Sequence, residues 1–566
     1  MRRRAEAAVF VLITAAYAIL GLWVLEPDSV YSGDIGVKFV QARALAATHF
    51  TSLNIPYPGQ FLDQPREFFP IRAPFVMVTG GETQAIFSPA SAVVQALAVS
   101  VAGMRGMILV SLLAGAVILA STWRLAEDGD GIPVLLALGI AGPLWFYAIS
   151  GWEHAPAVAF STLAFAIAVR SPSAFAPLLA GVCLGAGATQ RDEVLLLGPG
   201  LLLVVWLRTR AVRPLSSALV GMVLPLIASA MFEVWWFNRP VAAHLRHAVH
   251  LLQSALRVTN APNPDVPALQ PFTLRERYDA VVQYWLLGYG SDSLIAAFTA
   301  GLIIALAIRI WLRSAWGLLV WLVAVLALAW IDLHELVTAP KWLAGLHRVS
   351  PYLVFALFPL PPAASRPADG SGAEAGGATT WLRPAVLWTT FAYLALAFAG
   401  ADTSGGKALG PRLLLPLLPL LTVAAVATIR RYLRAAATAD RWVGRIGLGL
   451  VAMSAVMHLA GTIPAYAARN QGDSDAVEAI AKGPLRVVVA DDPFTAQLLF
   501  PLYYRKIVFL ADSPEHAQGL ASALGQAKVG SFVLVSRLEH PEVTFAPYRL
   551  QRAEQRGRLA VQYWVR

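Results

Sequence analysis

Tyr31-Ser32-Gly33-Asp34-Ile35-Gly36-Val37-Lys38 interrupts the chain directly after its first hydrophobic run, Ala7 to Leu25, and reading this break as a turn at a membrane surface decides the fold. The run before it is too long for the apolar part of a signal peptide, and no convincing small-residue cleavage site follows, so it reads as a retained first span. Met1-Arg2-Arg3-Arg4 stays inside by the positive-inside rule, which delivers Asp34 outside. An aspartate on Gly-flanked backbone, ahead of the helix-compatible run Ile35 to His49, has two compatible readings. It caps a surface helix, or it is a positioned carboxylate that takes a proton from a group arriving at that surface.

Working outward, 566 residues that are 57% hydrophobic and only 14% charged, with a mean hydropathy of +0.60, exclude a soluble core and imply an α-helical polytopic protein embedded in a lipid bilayer. The net charge of +10 does not indicate nucleic acid as a partner. The Lys and Arg residues stand mostly in short loops between apolar runs, as membrane orientation requires. The single cysteine, Cys183, lies in an apolar run and excludes an internal disulfide.

Applied loop by loop, the positive-inside rule predicts about 13 spans. A long first outer loop, 26–103, contains Ile86 to Ala102 as a helix lying in the outer interface. Spans follow at Met104 to Trp123, Ile132 to Ser150, Pro156 to Val169, Phe175 to Ala188, Val194 to Leu207 and Leu215 to Phe237. A second long outer loop, 238–291, precedes spans at Leu294 to Leu312, Gly317 to Ile331 and Tyr352 to Pro362. A Gly/Ala/Ser-rich inner loop, 363–380, leads to spans at Trp381 to Gly400, Leu413 to Ile429 and Ile446 to Ile463. Arg124, Arg170, Arg208, Arg210, Arg213, Arg430, Arg431 and Arg434 then fall inside.

Residues 1–463 form the membrane part in this reading, and 464–566 a small soluble α/β domain outside, with an accessory or lid role. Strands are expected at Arg486 to Ala490, Lys506 to Leu510, Ser531 to Ser536 and Ala560 to Val565, and a helix at Pro514 to Leu524. No G-x-G-x-x-G, P-loop or nucleophile elbow occurs there, so neither nucleotide nor acyl chemistry is indicated.

The outer side collects Asp34, the pair Glu153-His154, Arg191 with Glu193, and Lys407 with Arg412 in Gly405-Gly406-Lys407-Ala408-Leu409-Gly410-Pro411-Arg412. Charges wedged between apolar runs are costly at membrane depth, which makes them functional candidates. Glycine beside Lys407 permits close approach of backbone to an anion. Two rival signals are weaker. Asp128-Gly129-Asp130 has the D-x-D form of a metal site but stands in a short inner loop, and the steps of three in His244, His247 and His250 drift around a helix.

This layout resembles the C-type glycosyltransferase superfamily (GT-C), which includes protein O-mannosyltransferases and lipid A aminoarabinose transferases. The resemblance covers residues 1–463 and rests on Asp34 after the first span, the acidic turn at Glu153, Gln190-Arg191-Asp192-Glu193, and Gly406 to Arg412 before a Leu/Pro-rich span. It implies that Asp34 is the catalytic base and that Glu153 and His154 assist the acceptor or a metal. Lys407, Arg412 and Arg191 would then hold the phosphate of a polyprenyl-phosphate sugar, with Glu193, Gly406 and Lys38 as substrate-binding neighbours. The chain departs from the pattern by offering Glu-His where many members carry an aspartate.

The expected reaction is inverting transfer of the sugar to a hydroxyl of a glycan, lipid or protein acceptor, on the outer face of a bacterial inner (cell) membrane. No cofactor is assigned, and a divalent metal is left open. Such a donor is already activated, so one carboxylate and a few cations suffice. The alternative is a transporter or flippase for a lipid-linked envelope precursor. Transporters usually place polar groups at mid-membrane and often show internal repeats, whereas here the polar groups gather at one surface.

Overall fold

The computed structural model describes residues 1–26, 29–30, 33–79, 82–237, 272–287, 345–358, 360, 379–400, 409–537 and 544–566. Among these, six helices are long and apolar enough to cross a membrane: Arg2–Val24, Met104–Leu125, Val212–Trp236, Trp381–Gly400, Arg412–Leu433 and Asp440–Lys482. Three shorter apolar helices, Pro89–Ala102, His154–Arg170 and Ala176–Gln190, pack among them. The chain is a membrane protein. The thirteen expected spans are not all found: those at 294–312 and 317–331 lie outside the described residues, as do 238–271 and most of the Gly/Ala-rich loop.

Elsewhere proline and glycine redraw the hydropathy pattern. The run 132–150, expected as one span, forms two short helices, Gly131–Gly139 and Leu144–Ile149, separated at Gly142-Pro143, where proline lacks the amide a continuous helix needs. The run 194–207 starts as a 3-10 turn, Asp192–Leu197, before the helix Gly198–Thr209. The run 352–362 begins as a 3-10 turn, Pro351–Ala356.

Helix Arg412–Leu433 is central, with 94% of its apolar window buried, against 17% for Arg2–Val24 and Val212–Trp236, whose Leu12 and Trp235 face outward. Helices Ala176–Gln190 and Val212–Trp236 approach through glycine. A Cβ on Gly181 would sit 2.0 Å from the Ala218 carbonyl oxygen, and one on Gly221 would sit 2.2 Å from that of Leu178.

The residues expected inside meet at one end of this bundle. Arg431 pairs with Glu127 at 3.1 Å, Arg430 with Asp130, and Arg2 with Glu6 at 3.2 Å. Arg170 donates to the carbonyls of Arg124 at 2.8 Å and Ala126 at 2.7 Å. Asp130 of the D-x-D signal is thus held in an ion pair with a helix-terminal arginine.

At the other end, helix Thr438–Val456 runs on through a π turn, Met457–Thr462, into Ile463–Lys482, so the boundary expected at 464 falls inside a continuous helix. It leads to a five-stranded sheet, separate from the antiparallel pair β1 (Val76–Thr79) and β2 (Glu82–Ala85) of the first loop, with strands side by side in the order Ile507–Leu510, Val487–Ala490, Ser531–Arg537, Leu559–Val565, Arg549–Arg556. Strands β3 (Val487–Ala490), β4 (Ile507–Leu510) and β5 (Ser531–Arg537) are parallel, and β7 (Leu559–Val565) runs antiparallel to β5 and to β6 (Arg549–Arg556). Helix Pro514–Gln526 lies where one was expected. Strand β6 escaped the sequence reading because it is a charged edge strand, Arg-Leu-Gln-Arg-Ala-Glu-Gln-Arg, without an apolar alternation.

The sheet does not bury its core alone. Val37, Val40, Ile55, Tyr57, Phe68, Phe69 and Ile71 of the N-terminal region share one apolar core with Val488, Phe500, Phe509 and Leu510. The Leu510 amide donates to Phe68 O at 2.9 Å, and the Tyr503 hydroxyl to Pro56 O at 3.1 Å. Helix Gly33–Ala47 is the wedge between the two halves. It turns Val37 and Val40 to the sheet side and Ile35, Phe39, Ala42 and Leu45 into the membrane-side core. Burying each Val, Ile, Leu or Phe stabilises this placement by roughly 1.5–3 kcal/mol. Gln41 ties the helix to the first loop, accepting from Ala85 N at 2.7 Å and donating to Leu53 O at 2.8 Å.

Candidate active site

Asp34 occupies the first turn of the wedge helix, inside it and not at its cap, and is 7% exposed. The surface-helix reading therefore does not hold, because both sides of the helix are covered. A carboxylate here is favoured by the helix N-terminus. Its partner comes from 378 residues away: Arg412 Nη1 donates to Asp34 Oδ2.

Arg412 opens the 3-10 turn Arg412–Leu417 that leads into the central helix. Two tyrosines pin the backbone beside it. Tyr147 donates to Gly410 O at 3.4 Å, and Tyr393 donates to Leu413 O. Gly410 has φ +69°, the left-handed region that favours glycine, and a Cβ there would also press on Val349 at 3.1 Å. The Arg412 guanidinium stands 5.7 Å from the centre of the Trp152 ring, and its Nε has no hydrogen-bond partner among the described residues.

One helical turn beyond Asp34, the Lys38 ammonium lies between the two carboxylate oxygens of Glu153, at 2.8 and 2.6 Å, and 3.9 Å from the centre of the Phe87 ring. Glu153 Oε1 also accepts from Arg191 Nη1 at 3.0 Å. Arg191 Nε donates to Glu193 at 2.9 and 3.1 Å. His154 Nδ1 lies 3.6 Å from Glu193 Oε1, its ring packs 5.3 Å from that of Trp152, and its Nε2 has no partner among the described residues. The result is a buried array of alternating charge running Arg412, Asp34, Lys38, Glu153, Arg191, Glu193.

Burial by itself would raise the Asp34 carboxyl, but Arg412, Lys38 and Arg191 outweigh it and hold it below its ordinary value. Glu153 behaves alike: burial raises it, and Lys38 and Arg191 pull it lower still. Asp34 is therefore anionic at neutral pH, as a proton acceptor must be.

Seven expected site residues, Asp34, Lys38, Glu153, His154, Arg191, Glu193 and Arg412, meet in one buried cluster. Gly406 and Lys407 lie outside the described residues, as do His244, His247 and His250. The roles within the set divide unevenly. Lys38 is committed to Glu153, and Arg191 grips two carboxylates, which leaves Arg412 as the cation with donor capacity to spare. Sequence reading missed Trp152, Tyr147 and Tyr393, whose aromatic rings look like ordinary span residues in a one-dimensional reading. It also missed Tyr284, within range of the Arg412 charge. Trp152 alone carried a signal, as neighbour of the Glu153-His154 pair.

For a divalent metal, the fit is poor. Among the described residues no group of three or more His, Cys, Asp or Glu side chains is placed to hold an ion. Asp34, Glu153 and Glu193 each face a cationic side chain.

No family model and no curated protein matches the sequence. Among solved structures the chain is similar to ArnT from Cupriavidus metallidurans bound to undecaprenyl phosphate, with 14% identity, 98% of this chain and 97% of that chain covered, and a TM-score of 0.41. It is also similar to the oligosaccharyltransferase of Archaeoglobus fulgidus in the apo form, with 9% identity, 93% and 69% covered, and a TM-score of 0.40. For that organism's AglB in complex with an inhibitory peptide and a dolichol-phosphate, the values are 10%, 95%, 70% and 0.37. ArnT and AglB are both GT-C glycosyltransferases. These likenesses are remote, and the functional reading rests on the side chains around Asp34.

Proposed function

We propose that this protein is a membrane glycosyltransferase that moves a sugar from a polyprenyl-phosphate-linked donor to an acceptor hydroxyl, with Asp34 as general base and Arg412 as the principal ligand of the donor phosphate. The observation that carries the reading is the Asp34–Arg412 contact, a proton acceptor and a phosphate-type ligand brought together in a buried cluster that also holds Trp152 and His154. In the reaction the bond from the anomeric carbon to the phosphate oxygen breaks, and its electron pair leaves with the phosphate. The acceptor oxygen bonds to that carbon from the opposite side, inverting it, and its proton passes to Asp34. The phosphate gains negative charge as it departs, and a guanidinium that binds it more tightly then lowers the barrier. Glu153, clamped by Lys38 and Arg191, keeps these cations in place; Glu193 and His154 border the acceptor side. The membrane helices and the first loop form the catalytic unit, with the N-terminus in the cytoplasm. The cluster, the first loop and the α/β region from 464 onward face the outside of a bacterial inner membrane.

Replacing Asp34 by Asn keeps size and removes the proton acceptor. Asp34→Asn therefore lowers turnover on the order of 10²-fold, with the folded state retained, while Arg412→Ala lowers kcat/KM for the donor. Both are measured as transfer in liposomes with the melting temperature as control. Near-normal transfer by Asp34→Asn sinks the assignment. Cysteines placed at the exposed positions Thr51 and Glu515 react with an impermeant reagent added outside intact cells; protection of both would invert the orientation.

A further inference from the structure

We infer that the donor phosphate and Asp34 compete for Arg412, so that binding the donor is itself what releases the base. This rests on the reading of Asp34 as base and of a polyprenyl-phosphate sugar as donor. Its grounds are the partner sets of the two residues.

As described, the carboxylate meant to accept a proton is capped by the guanidinium meant to hold the phosphate. Both side chains are largely buried, at 10% and 17% exposure, so water screens the contact little. The neighbouring cations offer the phosphate no equivalent. Lys38 is held between the oxygens of Glu153, and Arg191 is bonded to Glu153 and Glu193. Arg412 meets a single carboxylate through one Nη1, and its Nε has no partner among the described residues. Trp152 backs its guanidinium. The tyrosine-pinned turn at 410–413 fixes its backbone, so an exchange of partners needs only the end of the side chain to turn.

A phosphodiester arriving at this turn meets Arg412 with two anionic oxygens suited to a bidentate grip. To take that grip it must displace Asp34. The carboxylate then loses the cation that most depresses its proton affinity and becomes a stronger base, with Lys38 and Arg191 still beside it. Departure of the phosphate adds a second negative charge and holds Arg412 more firmly, so the exchange is favoured most as the transition state forms. Without donor, Asp34 stays capped and an acceptor hydroxyl is not deprotonated. Binding order is thereby written into one ion pair.

The test is the affinity of the purified protein in detergent for a polyprenyl-phosphoryl glucose probe, a phosphodiester that keeps one charge from pH 4 to 8. Coupling energies between competing ligands of this kind correspond to changes on the order of tenfold. Asp34→Asn, which removes the competitor, binds the probe about tenfold more tightly than the unaltered protein. Because Asp34 is held below its ordinary value, it is ionised in the unaltered protein from pH 8 to 5, and the gain in Asp34→Asn is the same across that range. Lys38, Glu153, Arg191, Glu193, His154 and Tyr284, the other titratable groups facing the pair, are present in both proteins, so their contributions cancel in the comparison. A folded Asp34→Asn with unchanged or weaker affinity overturns the exchange and leaves the base assignment standing if its transfer is lost. Should Asp34→Asn fail to fold, Asp34→Ser carries the same test, and unchanged or weaker affinity in that folded variant overturns the exchange. Failure of both proteins to bind the probe overturns the donor reading and the exchange with it.

Discussion

The two charged ends of the bundle are built from the same residue types and obey different energetics. At the end proposed to face inside, the inner end, Arg431 and Glu127 are 35% and 28% exposed and Arg2 is 55% exposed, so these pairs lie partly in water, whereas Arg430 and Asp130 are 20% and 7% exposed. At the outer end Lys38 and Glu153 are each 2% exposed. Exposed pairs contribute about 0–1 kcal/mol. A buried pair gains little net from its own attraction, yet removing one partner strands a charge and costs about 3–5 kcal/mol. The Arg431–Glu127 and Arg2–Glu6 pairs tolerate change. The array around Glu153 is interlocked, each charge retained by its neighbours, and Arg412 keeps an Nε without a partner among the described residues.

The largest stability effect then belongs to Glu153→Ala, which leaves the buried Lys38 without its bonded carboxylate and lowers stability by about 3–5 kcal/mol, read from the melting temperature in detergent. A loss below about 1 kcal/mol would place the outer array in the same class as the inner one.

Next comes the contact between wedge helix and sheet. A Cβ on Gly36 would lie 2.7 Å from Phe500 Cδ2 and 2.9 Å from Gln497 O. Gly36→Ala costs about 1–3 kcal/mol by overpacking and displaces Asp34 two residues earlier, so transfer falls more than the melting temperature suggests. Phe500→Leu added to Gly36→Ala restores part of both. Unchanged transfer in Gly36→Ala would uncouple the sheet from the site.

Acid sharpens the comparison further. Asp34 and Glu153 have depressed folded values, so the stability they confer is present above their ordinary values of 3.8 and 4.5 and is lost only as pH falls below these through the depressed ones. Melting temperature is therefore insensitive to these two groups from pH 8 to about 5 and falls below about 4. Glu153→Gln removes part of that acid step. A step between pH 7 and 5 that vanishes in Glu153→Gln would mean that the cations fail to hold the carboxylate ionised. The smallest effect is at the inner end, where Glu127→Gln changes stability by less than about 1 kcal/mol.

Much of the candidate site was legible because each member stands in a polar break between apolar runs: Asp34 after the first, Glu153-His154 and Arg191-Asp192-Glu193 between later ones, Arg412 ahead of the central helix. What the breaks could not show was who pairs with whom. Lys38 is expected as a substrate-binding neighbour, and the structure commits it to Glu153 at 2% exposure. Asp34 read as a helix cap because the Gly-Asp pattern suits one, whereas the helix starts a residue earlier and buries the carboxylate. The unbroken span at 132–150 failed at Gly142-Pro143 because hydropathy averages over the residue that breaks the helix.

By itself, then, the sequence determined the membrane class, the grouping of arginines at one end and of Asp34, Glu153, Arg191 and Arg412 at the other, and most strands of the C-terminal sheet. These are properties of composition and of short periods, which burial and loop charge translate directly into structure. Only the tertiary structure decided that Arg412 meets Asp34 across 378 residues, and that the first loop and the C-terminal sheet share one core around the wedge helix. Contact energies act over a few ångströms, and which distant side chains come that close depends on how helices cross and where glycine lets them approach, information that no local pattern carries.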